Sequence, residues 1–142
     1  MRRLICPEFV GLVAIALLAG GCGTSTTTDT TTTTTPAVTV TEAFNGTLTL
    51  NGAQTYSFTA TAGGTVTVTL TSVTPDTTAI LGLALGTWNG TSCQIVISND
   101  NAIQGSNVTG TATAAGNFCV RVYDAAGTLP NPETFSVSIV HY

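Results

Sequence analysis

Lysine is absent from all 142 residues, and charged residues of both signs make up only 7% of the chain. After Cys22 a single cation, Arg121, stands against six carboxylates: Asp29, Glu42, Asp76, Asp100, Asp124 and Glu133. A surface of that sign repels phosphate backbones, which argues against nucleic acid as a partner. Histidine occurs once, at His141. One histidine, no lysine and no serine in a Gly-x-Ser-x-Gly elbow offer no nucleophile beside a base, so the chain reads as a non-enzyme. Helix formers at 3.6-residue spacing are missing beyond the N-terminal segment. No apolar run reaches the roughly 20 residues of a membrane span.

What is present begins with a leader. Arg2 and Arg3 form a positive start, and residues 9–19 form an apolar run of signal-peptide length. Leu18-Ala19-Gly20-Gly21-Cys22 then resembles the lipobox of bacterial lipoprotein signal peptides. That resemblance implies cleavage after residue 21, diacylglycerol on the Cys22 thiol, and a membrane contact through the N-terminal lipid. Gly23, standing where an aspartate often signals inner-membrane retention in such lipoproteins, implies the outer membrane or cell surface of a bacterial envelope. Residues 22–36 are almost pure threonine after the cysteine and have little apolar surface to bury. Such a segment cannot offset the entropy of ordering itself, and it reads as a solvated tether.

Residues 37–142 form the one expected domain, long enough for a modest core. Apolar and hydroxyl residues alternate along 65–71, where Val66, Val68 and Leu70 take one face and threonines the other. This is the period of a half-buried strand. Similar patterns predict strands over 42–50, 55–61, 78–88, 93–98, 106–114, 116–123 and 134–141. Asn51-Gly52, Ala62-Gly63-Gly64, Asn89-Gly90 and Ala115-Gly116 supply turns, and residues 98–101 are expected as loop. About eight strands punctuated every 8–12 residues predict an all-β, antiparallel β-sandwich.

Cys6 lies in the leader, and Cys22 is accounted for by lipidation. Cys93 and Cys119 remain, both in predicted strands of an exported domain, and a disulfide between them is expected.

Four stretches, in order, resemble the bacterial pre-peptidase C-terminal (PPC) domain: Phe44-Asn45-Gly46-Thr47-Leu48, the run from Tyr56 through Gly63-Gly64 to Val68, Gly116-Asn117-Phe118-Cys119-Val120-Arg121-Val122-Tyr123, and Phe135-Ser136-Val137-Ser138-Ile139. The resemblance spans residues 42–142. It implies a jelly-roll-like sandwich of the kind appended to secreted hydrolases as an accessory module, some of which bind collagen, polysaccharide or calcium. The family's aspartate before its second strand is replaced here by Gly52-Ala53-Gln54-Thr55, and its acidic pair is reduced to Asp76. No cofactor is therefore expected, with calcium the alternative.

The residues that carry chemistry are few, and each has two readings. Asp100, between Asn99 and Asn101, and Asp124 could offer oxygen ligands to calcium, or serve turns as loop Asx residues do. Arg121 could contact an anionic ligand, or form a salt bridge to Asp124, Glu133 or another acid. Trp88 could stand exposed as a polysaccharide or protein contact, or cap the end of the core. Sheet edges are normally guarded by lysine, and this domain has none. Two functions follow: a non-enzymatic, lipid-anchored envelope protein displaying a binding or accessory module for a polysaccharide or envelope protein, or an assembly subunit associating through bare strand edges.

Overall fold

A computed structural model of the protein describes residues 37–142. The expected signal sequence, Cys6, the expected lipidation site Cys22 and the threonine-rich segment lie outside the described residues. Eight strands occur among those described: β1 (Val40–Leu48), β2 (Ala53–Ala60), β3 (Gly64–Thr74), β4 (Leu81–Trp88), β5 (Cys93–Ala102), β6 (Asn107–Ala112), β7 (Gly116–Tyr123) and β8 (Glu133–His141). They form two four-stranded antiparallel sheets, ordered β1-β8-β3-β6 and β2-β7-β4-β5. This is the strand order of a jelly roll, as expected. Only β4 and β5 are consecutive strands of one sheet; every other connection crosses to the opposite sheet.

Period-2 alternation places the core. Val66, Val68 and Leu70 of β3 meet Leu81, Leu83 and Leu85 of β4, Val120 and Val122 of β7, and Phe135, Val137 and Ile139 of β8. Burying each large aliphatic side chain contributes roughly 1.5–3 kcal/mol relative to leaving it exposed. The phase of β3 changes at a bulge, where its register with β8 shifts between Leu70 and Ser72. One extra residue brings Val73, which would otherwise face solvent, into the core fully buried. The eight described strands and the core between them fall within one compact unit of the chain, residues 35–142.

Residues 98–101 are not loop. β5 continues through them to Ala102, with two register shifts against β4. Leu85 pairs with Ile97 and Gly86 with Ile95, so Val96 is an extra residue on the edge strand. The four-residue turn into β5 is held by Asn89, whose Oδ1 accepts from the backbone N–H of Thr91 at 2.9 Å and of Ser92 at 2.8 Å.

The two long sides of the sandwich differ. On the β1–β2 side, side chains cross between the sheets. Tyr56 of β2 donates its hydroxyl to Glu42 Oε2 of β1 at 2.7 Å, and Gln54 donates to the carbonyl of Thr47 at 3.3 Å. On the opposite side, β5 and β6 stand apart over part of their length.

Candidate binding groove

The separation of β5 from β6 begins at a disulfide. Cys93 on β5 and Cys119 on β7 are bonded, as the sequence predicts, with an S–S distance of 2.08 Å. Their strands are not neighbours, because β4 runs between them. Two strand spacings amount to about 9.5 Å in a regular sheet, yet the two Cα atoms are 5.7 Å apart. The start of β5 therefore leans across the outer face of β4. Gly86 makes this approach sterically possible: a Cβ there would lie 2.1 Å from the Gln94 carbonyl oxygen and 2.9 Å from the Ile95 Cα.

Beside this crossing the side of the sandwich is open. A groove of about 360 Å³ enters between β5 and β6 and reaches Val66, Leu85 and Phe118, with Val96, Ile97 and Ala112 at its walls. No charged residue lines it. Its volume falls within the ordinary range of binding cavities, roughly 300–1,000 Å³. Ile95, Val96 and Ile97 are all exposed along β5, Val96 by 75%, and Ile103 on the β5–β6 connection is exposed as well. Four aliphatic side chains thus lie in water along one side of a domain whose other apolar residues are mostly internal.

The residues singled out in the sequence lie elsewhere. Trp88 is half-buried at the end of β4, opposite Cys93, and is not among the residues packed on the core. The expectation that it caps the core is corrected: alternation from the inward Leu85 turns it to the outer face. Arg121 does not form the expected salt bridge to Asp124 or Glu133. It lies over the Tyr123 ring, 5.6 Å from its centroid, on the outer face of the β2-β7-β4-β5 sheet. The two acids are engaged otherwise. Glu133 is 1% exposed and accepts from the Asp76 backbone N–H at 3.1 Å.

Asp124 closes the loop after β7. Its Oδ1 accepts from the N–H groups of Gly127 and Thr128, and its Oδ2 from those of Asn51 and Leu129, at 3.0–3.3 Å. Burial pushes its carboxyl up, but the four backbone donors together outweigh burial and hold it below the usual carboxylate range. Asp100 of β5 accepts the Tyr123 hydroxyl of β7 on the outer face of the same β2-β7-β4-β5 sheet. Burial, then this hydrogen bond, pushes the Tyr123 hydroxyl up. The two acids that could offer oxygens to calcium are thus engaged within the fold: Asp124 has both oxygens facing backbone donors, and Asp100 accepts from a tyrosine. Among the described residues no three His, Cys, Asp or Glu side chains converge as a metal site.

One polar cluster was not anticipated. His141 is 2% exposed, with Nε2 3.0 Å from Glu42 Oε1 and Nδ1 3.2 Å from the Tyr142 carbonyl oxygen. Its ring lies 4.9 Å from that of Phe58. With the Tyr56 hydroxyl on the other carboxylate oxygen, Glu42 joins β8, β1 and β2. That hydrogen bond, then burial, pushes the Tyr56 hydroxyl up. The signal available in the sequence was an isolated acid at an inward position of a strand, Glu42, and a lone histidine in phase with Val137 and Ile139.

No protein-family model matches the chain, and no curated protein sequence matches it. Solved structures do share its fold. The crystal structure of PliG from Aeromonas hydrophila, a periplasmic inhibitor of g-type lysozyme, superposes with a TM-score of 0.50 over 70% of this chain and 83% of its own, at 18% identity. The Yersinia pseudotuberculosis-derived mitogen superposes with a TM-score of 0.52 over 74% of this chain and 88% of its own, at 14% identity. At such identities the likeness is one of fold: the described domain is an all-β sandwich of the kind seen in these two proteins.

Proposed function

We propose that this is a non-enzymatic, lipid-anchored protein of the bacterial envelope that works by binding another protein along the β5–β6 side of its sandwich. The observation that carries this reading is the uncharged apolar groove beside Ile95, Val96 and Ile97. Exposed apolar side chains that converge on one place mark interaction surfaces, whereas scattered ones do not. A protein partner fits better than a polysaccharide. The groove is lined mainly by aliphatic and small residues, with few side-chain donors or acceptors for sugar hydroxyls. PliG, a sandwich of similar fold, is a periplasmic inhibitor of g-type lysozyme and so acts on a protein. The PPC resemblance accords with an accessory rather than a catalytic role.

Retention of envelope proteins on immobilised residues 37–142, with the disulfide intact, tests the binding role. A specific protein retained by the wild type and lost with Val96→Lys is the expected result; identical retention by both would overturn the assignment of the site. Anchoring is tested separately. Palmitate labelling of the full chain should be abolished by Cys22→Ala, and labelling that persists would remove the lipoprotein assignment.

A second reading, assembly through a strand edge, is favoured by one specific observation. β6 is an edge strand with an unbulged register against β3 and neither proline nor charge in its sequence Asn-Val-Thr-Gly-Thr-Ala.

A further inference from the structure

We infer that the partner of the β5–β6 side is a second copy of this chain, joined by antiparallel pairing of β6 with β6. The inference rests on the reading of that side as a docking surface.

The four strand edges of the domain are not equivalent. β1 and β2 are tied to one another by the Tyr56–Glu42 and Gln54–Thr47 hydrogen bonds. β5 is broken by two bulges, a device that turns an edge away from pairing. β6 keeps a regular ladder and no guard, pairing with β3 residue for residue from Gly64–Ala112 to Thr69–Asn107; β2 shares both features, but its Tyr56 and Gln54 side chains are engaged with β1 and it does not border the groove. The free edge of β6 borders the groove, to which it contributes Gly110 and Ala112. Backbone pairing and apolar burial would therefore occur at the same place.

Charge selects the partner. The described domain carries Glu42, Asp76, Asp100, Asp124 and Glu133 against Arg121. Two copies repel one another unless they meet where neither is charged. The β5–β6 side meets that condition. Its one acid, Asp100, is turned to Tyr123 on the outer sheet face, and the others belong to β1, to the loops flanking β3 and β7, and to the start of β8. A cationic partner would be drawn to the acids and would have no use for this side. A pairing centred on Thr109 sets Asn107 against Thr111 and Val108 against Gly110, with no charge opposed to any other. It joins two four-stranded sheets into one that is continuous across the copies, with Ile95, Val96 and Ile97 of each copy on the contact side.

Sedimentation equilibrium of residues 37–142, carried to millimolar concentration with the disulfide intact, tests this directly. The expected result is a monomer–dimer equilibrium whose dissociation constant rises at least tenfold in Thr109→Lys. Thr55→Lys, on the exposed edge strand β2, should leave it unchanged. Thr109 is exposed and its hydroxyl makes only a 3.4 Å contact with Thr67, so the monomer should keep its melting temperature at low concentration. Amide exchange in β6 should slow as the dimer fills. A monomer at every concentration, a dimer indifferent to Thr109→Lys, or equal weakening by Thr55→Lys would each overturn the inference. A monomeric domain that still retains a different envelope protein through Val96 would refute self-pairing and leave the binding role standing.

Discussion

Cys93 and Cys119 are bonded across an intervening strand, with their Cα atoms 5.7 Å apart although β4 runs between β5 and β7. The bond thus fixes how far β5 curls over its sheet, as well as which strands it joins. The groove beside β6 opens where that curl occurs.

The bond closes a separation of 26 residues. In the chain-entropy model this contributes about 3–4 kcal/mol. The double variant Cys93→Ala, Cys119→Ala should lose that amount in urea unfolding, with the midpoint lowered. A loss well under 1 kcal/mol would show that the β5 crossing is held by packing alone.

Gly86→Ala should be among the most damaging single-methyl additions in the domain. The new Cβ meets the backbone of Gln94 and Ile95, which cannot rotate away as a side chain can. An overpacking cost of about 2–3 kcal/mol is expected, together with shifted amide resonances along residues 93–97. Gly90, with nothing within 4 Å of a Cβ there but a φ of +96°, provides the contrast: its replacement by alanine is costly through backbone strain alone and leaves the β5 resonances in place.

Asp124→Asn replaces a charged acceptor of four backbone N–H groups with a neutral side chain having one acceptor oxygen. Two of the four donors lose their acceptor, and a cost of about 2–3 kcal/mol is expected at neutral pH. The folded carboxyl titrates below its unfolded value. Its stabilisation is therefore present above the unfolded value and disappears as pH falls through the folded one. Urea midpoints should fall on acidification through the carboxylate range, and more steeply in the wild type than in Asp124→Asn. Parallel pH profiles for the two proteins would show that the cap does not depend on charge.

Glu42→Ala would strip His141 and Tyr56 of their shared partner on the β1–β2 side. Because Glu42 is itself partly exposed while His141 is buried, the cost should be about 2 kcal/mol, below that of breaking a fully buried pair. Tyr56→Phe, which removes only one of the two contacts, should cost about half as much. If both variants unfold at the wild-type urea concentration, the cluster does not hold the two sheets together.

The alternation of Val66, Val68 and Leu70 with threonine, and of Phe135, Val137 and Ile139 with serine, determined by itself that these stretches are strands and which of their faces is inward. That information is local, since successive side chains of an extended chain point to opposite sides. The Asn89-Gly90 signal was equally local and marks the one hairpin within a sheet among the described residues. By elimination, four cysteines also implied the Cys93–Cys119 bond. Pairing between strands is another matter. Six of the seven connections cross between sheets, so neighbours such as β1 and β8 are brought together from opposite ends of the domain, and no local pattern names a partner.

What tertiary structure alone decided follows from that. Residues 98–101 are polar enough to read as loop, yet they complete β5 because β4 offers them a ladder. Asp124 and Glu133 were candidates for Arg121, but backbone N–H groups brought in by distant segments bind them first. The groove exists because β5 leans over Gly86 and away from β6, a displacement set by contacts among strands that adjoin only in the folded sheet.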